Sequence, residues 1–398
     1  MKTNGKWQTI PLLRVVVFLI TGMLLSGYLS IFIDIMILFV LCAFSFLTTL
    51  LLNRKRIAQS VMLSTTIILL GILRMGMVSE HDHERNMMFC EGISTLREQL
   101  LSMYDRYDFN EEERTLIYAI TLGDKSLLNK EIREQFSTSG SSHVLAVSGL
   151  HTGIVFALFC LFFRILFCFI SNYLLRQSLI VVFTLPAIWF FAILTGASPS
   201  VIRATVMLTV FSLARLLSRD GISLNVLSFT AILMLLTNPL NLYDIGFQLS
   251  FFAVFAIIVV YKDIVNIFQN IQNPLIRWMW QLFAVSTAAQ LGTAPLAAFY
   301  FHQFSLMYFI SNLVIIPCVT LLLYFSILFQ ILTLCPPLQS LMAIMMKYTL
   351  MVIQEYNDWC ASLTHPVITD IHWSLPQLFA IYGLLITLYF IGRICFRR

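Results

Sequence analysis

The chain predicts an all-α polytopic membrane protein with about 10–12 transmembrane helices and short amphipathic helices on the outer face. Three observations carry this prediction. Of 398 residues, 59% are apolar and only 11% charged, with a mean hydropathy of +0.85, whereas soluble chains hold about 25% charged residues. Apolar runs recur along almost the whole length, and a run of about 20 residues suffices to cross the hydrocarbon. A single substantial polar stretch interrupts them, between Ser79 and Ser142.

Taken in order, hydropathy and helix breakers place spans at 10–29, 31–52 and 57–78, then at 143–170, 177–196, 199–217, 222–238, 245–262, 278–300, 304–333, 338–360 and 374–393. Lys2 and Lys6 precede the first run, but no small-residue cleavage site follows it, so it is read as a retained helix. The run at 338–360 is broken by Lys347, Glu355 and Asp358 and suits an interfacial helix nearly as well as a span. Basic residues near span ends stay cytoplasmic. With the N-terminus inside, Arg54–Arg56, Arg164 and Arg176, Arg215 and Arg219, Lys262 and Arg277, and the tail Arg393, Arg397 and Arg398 all fall on one side. The expected location is the bacterial cytoplasmic (inner) membrane, with both termini cytoplasmic.

Three domains follow: residues 1–78 as three transmembrane helices, 79–142 as an outer acidic segment, and 143–398 as the main transmembrane domain. The outer segment carries 13 acidic and 7 basic residues, a net of 7 − 13 = −6, in a chain of net +5. Ile93, Leu96, Leu100 and Tyr104 repeat at helical spacing. Asn110 before Glu111–Glu113 predicts a capped helix, and Ser126 is a candidate cap for a third helix ending near Phe136. So few apolar residues would bury little core, so these helices are expected to lie on the membrane surface.

Eight cysteines, at 42, 90, 160, 168, 318, 335, 360 and 395, form no C-x-x-C pair and read as small packing residues. His81-Asp82-His83-Glu84 is metal-capable in type, but as a lone cluster it is read as solvated charge, so no metal or cofactor is expected.

Five polar or breaker clusters sit inside the apolar runs: His143–Gly153, Thr195–Arg203, Asp244–Gln248, Gln290–Pro295 and Asn312–Pro317. The predicted topology puts all five in the outer half of the membrane. Irregular backbone at that depth is tolerated only against protein or a water-filled cavity, and breakers shared by several helices mark transport pathways. An outward-facing vestibule is therefore expected, against the plainer alternative of glycines for helix packing and prolines for kinks. Its candidate residues are His143, Ser148, Gly149, His151, Gly153, Gly196, Arg203, Gln248 and Asn312. In a continuous helix His143, Val147 and His151 would share a face, while Gly149 and Gly153 would let the helix break or another backbone approach. Histidines there could bond or take up a proton, or be neutral packed groups. A Ser148–His151 catalytic pair lacks an acidic partner in the sequence, so no enzymatic activity is expected.

The segment Leu116–Gly153, with Leu122-Gly-Asp-Lys125, Phe136 and His143-Val-Leu-Ala-Val-Ser-Gly-Leu-His151, resembles the ComEC competence family. Leu194-Thr-Gly-Ala-Ser-Pro199 with Arg203, Gly246–Phe251, Thr293-Ala-Pro295 and Ser311–Pro317 are similar to its later motifs, in the family's order. The resemblance covers about residues 80–395. It implies an inner-membrane channel that translocates single-stranded DNA during transformation. Members also carry an OB-fold between the early spans and the Leu-Gly-Asp motif, and often a metallo-β-lactamase-like nuclease domain. Neither is expected here, so a separate DNA receptor, a separate nuclease and a cytoplasmic helicase-type motor are the implied partners, besides membrane lipid and a second copy in a homodimer. Arg203 would be the phosphate contact. A secondary transporter of a small molecule or peptide, with a proton-coupled histidine in the same vestibule, is the alternative.

Overall fold

The computed structural model describes residues 10–29, 35–51, 56–77, 91–217, 224–268, 271–363 and 367–395. It is an all-α multi-pass membrane protein. Among the described residues eight helices are long and apolar enough to span, and three shorter apolar helices accompany them. The chain divides into two compact units, 1–88 with 217–251, and 89–216 with 252–398. The His81–Glu84 cluster lies outside the described residues.

The first unit holds α1 (Pro11–Leu29), α2 (Ile35–Leu51), α3 (Arg56–Gly76), α10 (Leu224–Thr237) and a 3-10 turn at Pro239–Tyr243. Helices α1 and α3 cross at Gly22 and Gly71 so closely that a Cβ on Gly22 would stand 2.1 Å from the Ile68 carbonyl oxygen. Small residues bring backbones together where lipid supplies no hydrophobic drive between helices. Ser45 and Thr66 bond at 2.9 Å across α2 and α3. Arg74 donates to the Leu236 and Thr237 carbonyls, each at 2.7 Å, satisfying the open C-terminal acceptors of α10.

The second unit begins with α4 (Glu91–Ser102), α5 (Glu111–Leu122) and α6 (Lys130–Thr138). The Asn110 side chain accepts from Glu113 N–H at 2.7 Å while Glu113 returns to Asn110 N–H at 2.9 Å, the reciprocal capping box. The cap of α6 is Asn129, which accepts from Ile132 N–H at 2.9 Å, rather than Ser126, whose N–H is taken by Asp124. The acidic segment also buries far more than its composition suggests. Leu116, Ile117, Ile120 and Leu122 are buried in one core with Ile315, Val319, Leu322, Leu350 and Ile353. Those partners belong to α13 (Tyr308–Ile331) and α14 (Pro336–Ala361); local composition could not reveal an apolar partner 200 residues away in the sequence.

α14 is not among the eight span-like helices, and its polar residues face the acidic segment. Lys347 reaches Asp108 (3.6 Å), and the Gln354 amide donates to Glu112 (3.2 Å). Tyr104 is sealed against α13, its hydroxyl 2.6 Å from Ser326 Oγ and accepting from Gln330 at 3.0 Å. The remaining helices are α7 (Gly149–Leu166), α8 (Tyr173–Leu194), α9 (Pro199–Leu216), α12 (Pro274–Phe301) and α15 (Leu375–Cys395), with α11 (Ile245–Val265) divided between the units at Phe251. Strands β1 (Phe304–Ser305) and β2 (Val367–Ile368) pair antiparallel, closing the base of the α13–α14 hairpin.

Candidate functional site

The stretch 142–153 is not one helix. Ser142–Val144 form a 3-10 turn, and α7 starts only at Gly149, after Ser148 in extended conformation (φ −122°, ψ 176°). His143 and His151 therefore do not share a helical face. The break has a local cause. Ser148 N–H and Ser148 Oγ both meet His151 Nδ1, at 3.3 and 2.9 Å, so the histidine side chain folds back on the helix start as a cap does.

Three of the five breaker clusters meet here. The Leu122-Gly123-Asp124 turn ends α5 with Gly123 left-handed (φ 72°), where a Cβ would stand 2.9 Å from the Thr195 carbonyl oxygen and 3.3 Å from Val147. Gly196 and Ala197 (φ 81° and 48°) turn α8 into α9, and Gly196 abuts Arg97, which reaches Asp124 at 3.9 Å. A Cβ on Gly149 would touch Ala204 of α9 at 3.4 Å, whereas one on Gly153 would meet nothing within 4 Å; no backbone approaches Gly153, contrary to the sequence expectation. Arg203, next to Ala204, is 6% exposed and so is not at the surface.

The third cluster joins through α13. Ser311 Oγ donates to the Ser139 carbonyl and lies 2.8 Å from the Tyr356 hydroxyl. Tyr308, one turn before Asn312 on α13, has its ring 6.0 Å from that of His143. His143 is exposed, with neighbouring protein crowding part of its ring. That crowding pushes its pKa down, to about 4, against a hydrogen bond to the Gly140 backbone that raises it; its open face argues for a smaller shift of the same sign.

The other two clusters do different work. Gly292 seats α12 on α11, a Cβ there meeting the Phe252 carbonyl oxygen at 2.5 Å, and Tyr382 donates to the Gly292 carbonyl at 2.8 Å: a packing site. Asp244 accepts from Phe247 N–H at 2.5 Å and Gln248 donates to the Leu242 carbonyl at 2.9 Å. Gln248 thus organises the start of α11, within the first unit.

Four buried polar atoms at the joined site have no hydrogen-bond partner, Arg97 Nε, His151 Nε2, Ser198 Oγ and Asn312 Oδ1; His151 and Asn312 are 0% and 3% exposed. Among the described residues no carboxylate bonds to the far ring nitrogen of His151. Among the described residues no group of three or more His, Cys, Asp or Glu could hold a metal. Sequence reasoning missed Tyr308 and Arg97, which carry no local signal; Gly123 stood in a quoted motif without a role.

A multi-pass helical membrane protein with its polar residues and breakers gathered at helix ends is the class these features define. The chain belongs to the competence protein family, whose model matches residues 120–393. It is 34% identical over 205 residues to ComE operon protein 3 of Bacillus subtilis, covering 52% of this chain and 24% of that protein. Recombination protein 2 of Haemophilus influenzae is 26% identical over 61% of this chain and 31% of its own length. An uncharacterized protein of Aquifex aeolicus is 32% identical over 73% of this chain and 66% of its own. The chain thus spans under a third of the two named relatives. No solved structure matches it.

Proposed function

We propose that this protein is a channel for single-stranded DNA through the bacterial cytoplasmic membrane during transformation, with both termini cytoplasmic and the joined site opening outward. The carrying observation is the convergence of His143–Gly153, Thr195–Arg203 and Asn312–Pro317 on one partly open polar site, in a chain of the competence family. Helix-terminal polar groups and irregular backbone at one place suit a polar substrate.

Arg203, buried in this conformation, meets phosphate only when α7 and α9 part; the open space beside Gly153 favours that movement. The acidic face of α4–α6 repels phosphates over about a Debye length, so a separate receptor delivers the strand and a separate nuclease removes its complement. No G-x-x-x-x-G-K-[ST] loop occurs in the 398 residues, so work comes from a cytoplasmic helicase-type motor, a gradient or strand capture. The protein acts as a conduit and not as an enzyme.

The test is uptake of marked DNA by wild-type, deletion and Arg203→Ala cells, with impermeant thiol labelling of His143→Cys and Gly153→Cys in a cysteine-free background. Loss of uptake in the deletion, a fall in Arg203→Ala and outside labelling of both cysteines are expected. Unchanged uptake in the deletion overturns the DNA reading and moves the small-molecule transporter forward.

A further inference from the structure

The hydrogen-bond geometry at the start of α7 fixes which proton His151 carries. Its Nδ1 faces the Ser148 backbone N–H at 3.3 Å, and an amide N–H can only donate, so Nδ1 is an acceptor and bears no proton. The Ser148 hydroxyl, 2.9 Å away, donates to the same atom. In a neutral imidazole the proton then sits on Nε2. That Nε2–H is buried without a partner, and leaving a buried donor unpaired carries a full desolvation penalty.

His151 starts a helix that packs on both sides: Ile154 joins the core that contains Ile315 and Val319 of α13, and Val147 and Val155 join α8 and α9. One turn above Ile315 stands Asn312, whose Oδ1 is another buried atom without a partner. An unpaired donor near the start of α7 and an unpaired acceptor near the start of α13 thus belong to two helices that pack on each other. His143 lies within electrostatic reach of His151, and Arg203 and Tyr308 are the charged or titratable residues near the starts of α9 and α13; among the described residues no carboxylate bonds to His151.

We propose that the α7–α13 seam is a hydrogen-bonding lining for the passing strand, in which His151 acts as a neutral donor of fixed tautomer, offering Nε2–H to phosphodiester oxygens. Ser148 is the positioning residue that holds this tautomer. The proposal rests on the DNA-conduit reading and gives it a contact chemistry independent of sequence, since every nucleotide presents the same backbone acceptors. It also separates the conduit from a proton-coupled transporter, because a donor locked in this way does not cycle a proton.

The decisive comparison is His151→Gln against His151→Asn. A glutamine amide reaches the position of the imidazole Nε2 and restores the distal donor without a titrating group. An asparagine amide reaches only as far as Nδ1, keeping the acceptor for Ser148 N–H and losing the distal donor. With equal membrane levels by immunoblot, His151→Gln is expected within about threefold of wild-type uptake, and His151→Asn lower by about tenfold or more. Ser148→Ala falls between them and Ser148→Thr recovers. Wild-type uptake should hold steady between about pH 6 and 8, a range in which an unperturbed histidine would change charge.

If His151→Asn works and His151→Gln fails, the side chain is only a helix cap and the proposal is wrong; if both fail while wild-type uptake varies across that pH range, His151 carries a proton and the proposal is equally wrong. Should wild-type and deletion cells take up DNA alike, the conduit reading itself has failed. Nitrogen-15 NMR of histidine-labelled protein, with His151 assigned by its absence in His151→Gln, then still decides the tautomer: a proton on Nε2 alone at pH 6–8 supports the lock, and any proton on Nδ1 overturns it.

Discussion

Glycine sits at two helix crossings of this molecule and does opposite things there. At the α1–α3 crossing of the first unit the backbones touch through Gly22 and Gly71, and added Cβ atoms would lie 2.1 and 2.4 Å from carbonyl oxygens. On α7 of the second unit, Gly149 makes ordinary contact with Ala204 while Gly153 faces open space. The first crossing has no room for a methyl group, whereas a methyl group on Gly153 would meet nothing. Close contact holds helices together in lipid; unfilled space next to a break in a helix is what a movable or conducting seam requires.

The largest expected effect separates these two uses. Gly22→Leu places a side chain where a carbonyl stands and should cost more than the 1–3 kcal/mol typical of overpacking, read as loss of folded monodisperse protein in detergent. Gly153→Leu should leave thermal unfolding within a few degrees of wild type, since a residue better at forming helix replaces glycine, while uptake falls sharply because the seam is filled. If Gly153→Leu unfolds the protein as Gly22→Leu does, the distinction between a packing glycine and one beside open space collapses.

A smaller effect concerns the polar core beneath the acidic segment. Tyr104→Phe removes the hydroxyl that joins Ser326 and Gln330 and strands both, for about 1–3 kcal/mol. Differential scanning fluorimetry should show the loss, and an unchanged Tm would mean that the α4–α5 pair does not contribute to the fold of α13.

The smallest effect is the pH response of His143. Its folded pKa lies below the ordinary value near 6.5, so between the two values the unfolded chain binds the extra proton and folding does not. Stability from this group is therefore fully present above about pH 6.5 and declines as pH falls toward the folded value. His143→Asn should flatten that part of the Tm-versus-pH curve without altering the plateau at neutral pH. Because the ring keeps an open face, the slope removed will be modest.

Much of this molecule could be read from the order of its residues. Apolar runs of sufficient length determine spans, because a bilayer accepts only backbone that satisfies its own hydrogen bonds. The Asn110–Glu113 cap was likewise legible, since a capping box involves neighbours in the chain. The tight α8–α9 turn belongs with it, signalled by Gly196 and Pro199. The extent of the core around Leu116–Leu122 was not legible, because its partners on α13 and α14 lie some 200 residues away.

Among the candidate site residues, the sequence by itself identified which were out of place in lipid, and only the tertiary structure decided what each one does. His151 became a cap and a buried donor because Ser148 folds onto it. Gly153 was left with open space because nothing packs on it, and the glycine in Gln290–Pro295 became a contact because α11 packs there. Gln248 became an organiser of its own helix start. The physical reason is common to all four. A polar or small residue in an apolar run costs free energy wherever it stands, so its presence is visible locally, but its role is set by the groups that surround it, and those come from elsewhere in the chain.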